Sequence, residues 1–142
     1  MAKDKLFLDT DVVLDHLADR QPFAELAHRL LALAELGQVE ACASALTFSH
    51  LHYLLRKGRT QTETRELLAK LKRLVKIVAV TEDEIQCALD SDFADFEDAI
   101  QHFSAVSAGG VTAIITRNGV DYAASQLPVL SPDEYLSSRP AE

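Results

Sequence analysis

Five short apolar runs, each parted from the next by helical patterning or turn residues, restrict this chain to a narrow set of folds. They are Leu6-Phe7-Leu8, residues 39–43, residues 75–80, residues 111–115 and residues 127–130. All are too short to be core helices, and the third and fourth are rich in Val, Ile and Thr, which suit a pleated surface. Strands that alternate with helices pack as a parallel sheet covered on both faces, and right-handed crossovers bring every strand's carboxyl end to one edge. The expected architecture is α/β: a three-layer α/β/α sandwich around a central parallel sheet of about five strands. A chain of this length fits one domain, here residues 1–142.

The connecting segments carry their own punctuation. Val12, Val13 and Leu17 predict a short first helix that closes near Asp19-Arg20-Gln21-Pro22. Residues 22–36 repeat Phe23, Leu26, Ala27, Leu30, Leu31 and Ala34 at helical spacing and stop at Gly37. Ser44 is placed to cap a helix that stops at Gly58, and Thr60 with Glu63 and Thr81 with Glu84 have capping-box spacing. Ser131-Pro132-Asp133-Glu134 opens a last small helix. From residue 95 to Gly109-Gly110 the pattern is helical again, with Asp95, Asp98 and His102 on one face and Phe96, Ile100 and Phe103 on the apolar side.

The common edge would gather Asp9-Thr10-Asp11, the segment from Ser44, the segment from Thr81, and Thr116-Arg117-Asn118. Ligands bind at that edge in open α/β sheets. Acids in a first helical turn have an ordinary explanation in the helix dipole, and Asp11 is readily explained so. Asp9 is different, because it ends a buried strand with no basic residue close in sequence. A second carboxylate such as Asp98, at about 5 Å and an effective dielectric near 20, would repel it by roughly 3 kcal/mol. A cation relieves that conflict, and donors that are all oxygen favour Mg2+ or Mn2+. Such an ion can orient water and polarise a phosphodiester.

Charge bears on the partner. The net charge of −8 argues against nucleic acid, but the bases are concentrated. Arg56, Lys57, Arg59, Arg65, Lys70, Lys72, Arg73 and Lys76 face only Glu63 and Glu66, so that segment is about +6 and the remainder about −14. Residues 82–98 form the reverse, with eight acids and no Lys or Arg. Solvated helix faces are the ordinary reading of both blocks. Cys42 and Cys87 lie in apolar patterns without ligand spacing and read as buried thiols, and His50, His52 and His102 read as structural. No apolar run is long enough for a membrane span or a secretory segment, so the expected location is cytoplasmic, with no membrane contact.

Several stretches together resemble a PIN domain. They are Phe7-Leu-Asp-Thr-Asp-Val-Val-Leu-Asp15, Ser44-Ala-Leu-Thr47, Asp95-Phe-Glu-Asp-Ala-Ile-Gln101, Ile114-Ile-Thr-Arg-Asn118 with Asp121, and Pro128-Val-Leu-Ser-Pro-Asp-Glu-Tyr135. The resemblance implies a metal-dependent ribonuclease, often the VapC-like toxin of a bacterial toxin–antitoxin pair, usually dimeric and inhibited by a small antitoxin. It implies that Asp9 and Asp98 hold Mg2+ or Mn2+; Asp95, one turn before Asp98, is the third expected ligand and would supply the missing negative charge. Asn118 stands where many members carry a further Asp, and Asp121 is close by as a substitute. Thr10 and Thr116 would contact water or phosphate, Ser44 and Thr47 belong to a family motif on the substrate side, and the basic segment, with Arg117, would then hold phosphates of RNA. The second family acid falls at His50, a departure from the four-acid pattern. Two further readings stay open. One is a PIN-like module that binds RNA or protein without cleaving. The other is a haloacid-dehalogenase-type phosphatase, suggested by Asp9-Thr10-Asp11-Val12-Val13-Leu14, although Thr116-Arg117-Asn118 lacks the acids that family needs.

Overall fold

The computed structural model describes residues 2–139. Its strands are β1 (Lys5–Leu8), β2 (Glu40–Ser44), β3 (Val75–Val78), β4 (Ala113–Ile115) and β5 (Val129–Leu130). All four pairings are parallel and the order is β3-β2-β1-β4-β5. The sheet therefore grows outward from β1 first to one side and then to the other, which makes the β1–β4 boundary its topological switch point.

Three strands are shorter than their apolar runs. Val80, Val111 and Leu127 lie beyond the ladder, yet each packs partly buried in a core cluster, so their hydrophobicity serves loop packing instead of strand pairing. β2 is displaced by one residue from the expected 39–43, and Val39 is buried just before it.

The helices are α1 (Thr10–Leu17), α2 (Ala24–Glu35), α3 (Ala45–Leu55), α4 (Gln61–Leu74), α5 (Glu82–Leu89), α6 (Phe96–Ala108) and α7 (Pro132–Ser138), with a 3-10 turn at Gly119–Tyr122. Thr60, Thr81 and Ser131 form the complete capping boxes their spacing predicts. α2 starts two residues after Pro22, at a cap, Phe23, that makes no side-chain bond to the helix. Asp95 is outside α6. Its extended backbone makes it the N-cap, and its carboxylate accepts the Asp98 N–H at 3.0 Å. α6 ends where Gly109 and Gly110 both take positive φ, 75° and 72°, a conformation that L side chains adopt only with strain.

Strand alternation sorts the core into two faces. Leu6, Leu8, Ala41, Ala43, Ala113 and Ile115 pack with residues of α1, α2, α3, α4 and α7. Phe7, Cys42 and Ile114 point the other way, against Ala105 of α6 and Tyr122 of the 3-10 turn. α5 packs on α6 through Ala88, Ala99 and Ile100. Burial pushes the Cys42 thiol up to about 11, so it is an inert part of this layer. Cys87 departs from expectation: it is exposed, because Ile85 and Ala88 form the packed stripe of α5. No helix among the described residues is long and apolar enough to cross a membrane.

His102 is fully buried, so it leaves the acidic face on which helical spacing put it. Its ring lies against Phe93 and Phe103, and Nε2 accepts the Gln126 N–H at 3.0 Å. Burial holds its pKa below the usual value, so the ring stays neutral. Replacing it in His102→Leu strands a backbone N–H and should cost about 1–3 kcal/mol in urea unfolding near neutral pH. The unfolded chain protonates this His first, so its stabilisation is complete above about pH 6.5 and falls away below. The gap between parent and variant should narrow toward pH 5, and a constant gap would argue against the buried neutral ring.

Candidate active site

β1 ends at Leu8 and Asp9 turns the chain into α1 as its N-cap, with φ −71° and ψ 158°. The Asp9 N–H still bonds to Ile115 at the end of β4, at 3.0 Å, which ties the cap to the neighbouring strand. Only 7% of Asp9 is exposed, and its two oxygens are held separately. Oδ1 accepts the Thr10 N–H at 2.8 Å and a long 3.5 Å bond from Gln101 Nε2. Oδ2 accepts from the Thr116 hydroxyl at 2.9 Å.

Asp98 enters from the opposite layer, in the first turn of α6. Burial, followed by the charges of Asp9, Asp95, Asp121 and Asp11, raises its carboxyl to about 7. Asp11 is raised to about 6, first by burial and then by Asp9. Its Oδ2 accepts from the Asn118 side-chain amide at 3.0 Å and the Arg117 N–H at 3.2 Å, whereas its buried Oδ1 has no partner among the described residues. Asp95 and Asp121 are exposed and add charge from the rim. Asn118 thus serves Asp11 as a donor.

Two residues that sequence reasoning did not single out for this site complete it. Gln101 is buried, accepts a short hydrogen bond from the Ser44 hydroxyl, and donates through Nε2 to Thr47 Oγ1 at 2.7 Å and Thr10 Oγ1 at 3.4 Å. Thr10 and Thr47 also share a 2.9 Å hydroxyl bond. Ser44, Thr47 and Thr10 therefore act inward, toward Gln101 and Asp9. The available signal was a polar residue one helical turn after Asp98, on the same face. Tyr122 is the second. Its hydroxyl is buried on the Asp9 side of the site, and burial, then the charges of Asp9 and Asp98, hold its pKa far above the ordinary phenol value.

Arg117 is spoken for. Its guanidinium meets Asp15 at 2.6 Å and 3.2 Å and lies 3.8 Å over the Phe23 ring. Asp15, 1% exposed, also binds Arg20 at 2.8 Å. His50 stands near the rim, with Nε2 3.6 Å from Glu97, the neighbour of Asp98.

Among the described residues no three His, Cys, Asp or Glu side chains form a ready metal cage. The donor set nevertheless suits a hard cation that keeps several waters. Asp11 has an orphaned buried oxygen, Asp98 and Asp11 are both raised in part by the Asp9 charge, and no base among the described residues pairs with Asp9 or Asp98.

The sequence matches the PIN domain model over residues 5–119. The chain belongs to the PIN domain family. No curated protein matches it at the sequence level. Among solved structures, this PIN domain is similar to VapBC2 from Rickettsia felis bound to a promoter DNA fragment: TM-score 0.66, 12% identity, 89% of this chain and 97% of that one. A toxin–antitoxin complex from Klebsiella pneumoniae gives 0.65 at 21% identity, with the same coverage of both chains. VapC20 from Mycobacterium tuberculosis, a toxin that cleaves the sarcin–ricin loop, gives 0.65 at 20% identity over 84% of this chain and 94% of that one. At such identities the likeness is one of fold, and the five-stranded parallel α/β/α sandwich expected from the sequence is that fold.

The raised carboxyl of Asp98 has a measurable consequence. A folded pKa of about 7 against an ordinary 3.8 means that its neutral form favours the fold at low pH and that this support is lost as pH rises through 7. Without divalent ions, Asp98→Asn should melt higher than the parent. The advantage should widen from about pH 4 to 7 and hold constant above. Equal melting temperatures at pH 8 would show that the carboxylates do not repel.

Proposed function

We propose that this PIN domain is a ribonuclease dependent on Mg2+ or Mn2+, and the VapC-like toxin of a toxin–antitoxin pair. The observation that carries it is Asp9 buried at the switch point, near enough for its charge to raise the carboxyls of Asp11 and Asp98, with no ion-paired base on Asp9 or Asp98 among the described residues. The fold's likeness to toxins solved with their antitoxins, and to a toxin that cleaves the sarcin–ricin loop, supports the substrate class and the partner. A small antitoxin and a second copy of the chain are the expected partners.

Asp9 and Asp98 would hold the ion, with Asp95 and Asp121 deepening the negative field and Asp11 adding its free oxygen. An ion held there would neutralise the carboxylates and polarise water and the phosphodiester. Thr116, Gln101 and the Thr10 N–H fix both Asp9 oxygens, as outer-shell donors fix a metal-binding carboxylate. Asn118 and the Arg117 N–H do the same for one oxygen of Asp11, leaving the other available. Tyr122, buried beside these acids, remains protonated. Asp15 and Phe23 hold the Arg117 loop in register with Asp11, and Arg117 contributes positive potential to a bound phosphate.

His50 favours one competing reading, a PIN domain that binds RNA or protein without cutting, since an imidazole cannot supply the missing carboxylate's charge. Calorimetric titration with Mn2+ near pH 6.5 separates the two. Cleavage chemistry requires binding tighter than millimolar, with on the order of one proton released as Asp98 and Asp11 ionise. Absence of both would favour the non-cleaving module. Asp9→Asn should abolish RNA cutting, and Gln101→Leu should lower it by about 10–100-fold through misplaced Asp9. Undiminished cutting by Asp9→Asn would overturn the proposal.

A further inference from the structure

The basic segment is not used by the carboxylate site, and its geometry points to a second contact for the polymer. Arg56, Lys57, Arg65, Lys70, Lys72 and Arg73 form no ion pair among the described residues, although the chain is acidic overall. All six are exposed, the first two just past the end of α3 and the others on α4, which packs against α3. Beside Arg56 and Lys57, Tyr53 is 71% exposed, with the Lys57 ammonium 5.8 Å from its ring centre. Ser49, His52, Tyr53, Arg56 and Lys57 line an open hollow of about 550 Å3. α3 is the helix that starts at Ser44 in the carboxylate site, and Tyr53 lies six residues beyond Thr47, about 9 Å along its axis.

We propose that this hollow is a binding subsite for single-stranded RNA, in which Tyr53 stacks on an unpaired base and Arg56 and Lys57 hold the flanking phosphates. The assignment rests on the ribonuclease reading and extends it away from the scissile bond. Cations without carboxylate partners answer a polyanion, and an exposed aromatic ring among them answers the face of an unstacked base, which a duplex does not present. Six such cations also explain how a chain of net charge −8 approaches RNA: the repulsive charge is gathered elsewhere, on residues 82–98 and at the metal-binding edge.

The test is fluorescence anisotropy of a labelled single-stranded RNA with the whole chain in chelator, where binding is read without cutting. Tyr53→Ala should weaken binding about tenfold at unchanged melting temperature. Arg56→Glu with Lys57→Glu should weaken it further and flatten the dependence of log affinity on log salt by about 0.7 for each phosphate that the variant no longer neutralises. Parent-like affinity in both variants overturns the subsite. So does Tyr53→Ala that alters sedimentation but not RNA binding, which would give the face to a second copy of the chain, and so does equal loss of duplex DNA binding. Cleavage with Mn2+ is assayed in parallel. A parent that binds through Tyr53 but never cuts removes the nuclease reading and keeps the subsite. A parent that cuts while both variants bind normally does the reverse.

Discussion

The arrangement depends on keeping one charged carboxylate buried at the end of the central strand. An ion in a low-dielectric site is tolerated only when its lone pairs are engaged, and Asp9 meets that demand through donors from three parts of the chain. Thr10 comes from its own helix, Thr116 from the end of β4 and Gln101 from α6. Each donor is itself constrained. Gln101 is clamped by Ser44 and Thr47, so the cap of α3 also serves Asp9. Donors from α1, the end of β4 and α6 thus converge on one oxygen pair, the last of them positioned by the cap of α3.

A second buried acid supports the first from behind. Asp15 sits one helical turn beyond Asp11 on α1 and gathers Arg20 and Arg117. Removing either guanidinium would leave less than full compensation for a charge that is 1% exposed. Because Arg117 is braced by Asp15 and by the Phe23 ring, its own N–H can be aimed at Asp11. The loop after β4 is thus tied down where it has to deliver Thr116 and Asn118 to two different carboxylates.

The fold was largely legible in the sequence because strand, cap and stop signals are local and here agree with one another. Thr60, Thr81 and Ser131 are examples in which four residues sufficed. The positions of Asp9 and Asp98 were legible too, one at a strand end and the other in a first helical turn. What escaped was everything set by side-chain direction across the layers. Helical spacing put His102 beside the acids, but the packing of α6 turns it into the core against Phe93. Gln101 read as one more polar helix residue, and Tyr122 as part of a turn, because their roles exist only once α6, α3 and the 3-10 turn meet. Asp11 looked like a dipole-matching acid, and its pairing with Asn118 spans 107 positions.

The strand order carries a consequence for synthesis. β1 is made first, yet its neighbour β4 is among the last elements to be made, and Leu8 finds its register against Ile115 only after nearly the whole sheet-forming sequence exists. Local helices can form as the chain emerges, but this pairing closes a chain-long loop and comes late. Until then Asp9 lacks Thr116, and Asp11 lacks Asn118 and the Arg117 N–H. A nascent chain therefore lacks the donors that Asp9 and Asp11 take from the segment after β4, and the carboxylate site is complete only once that segment has joined the sheet.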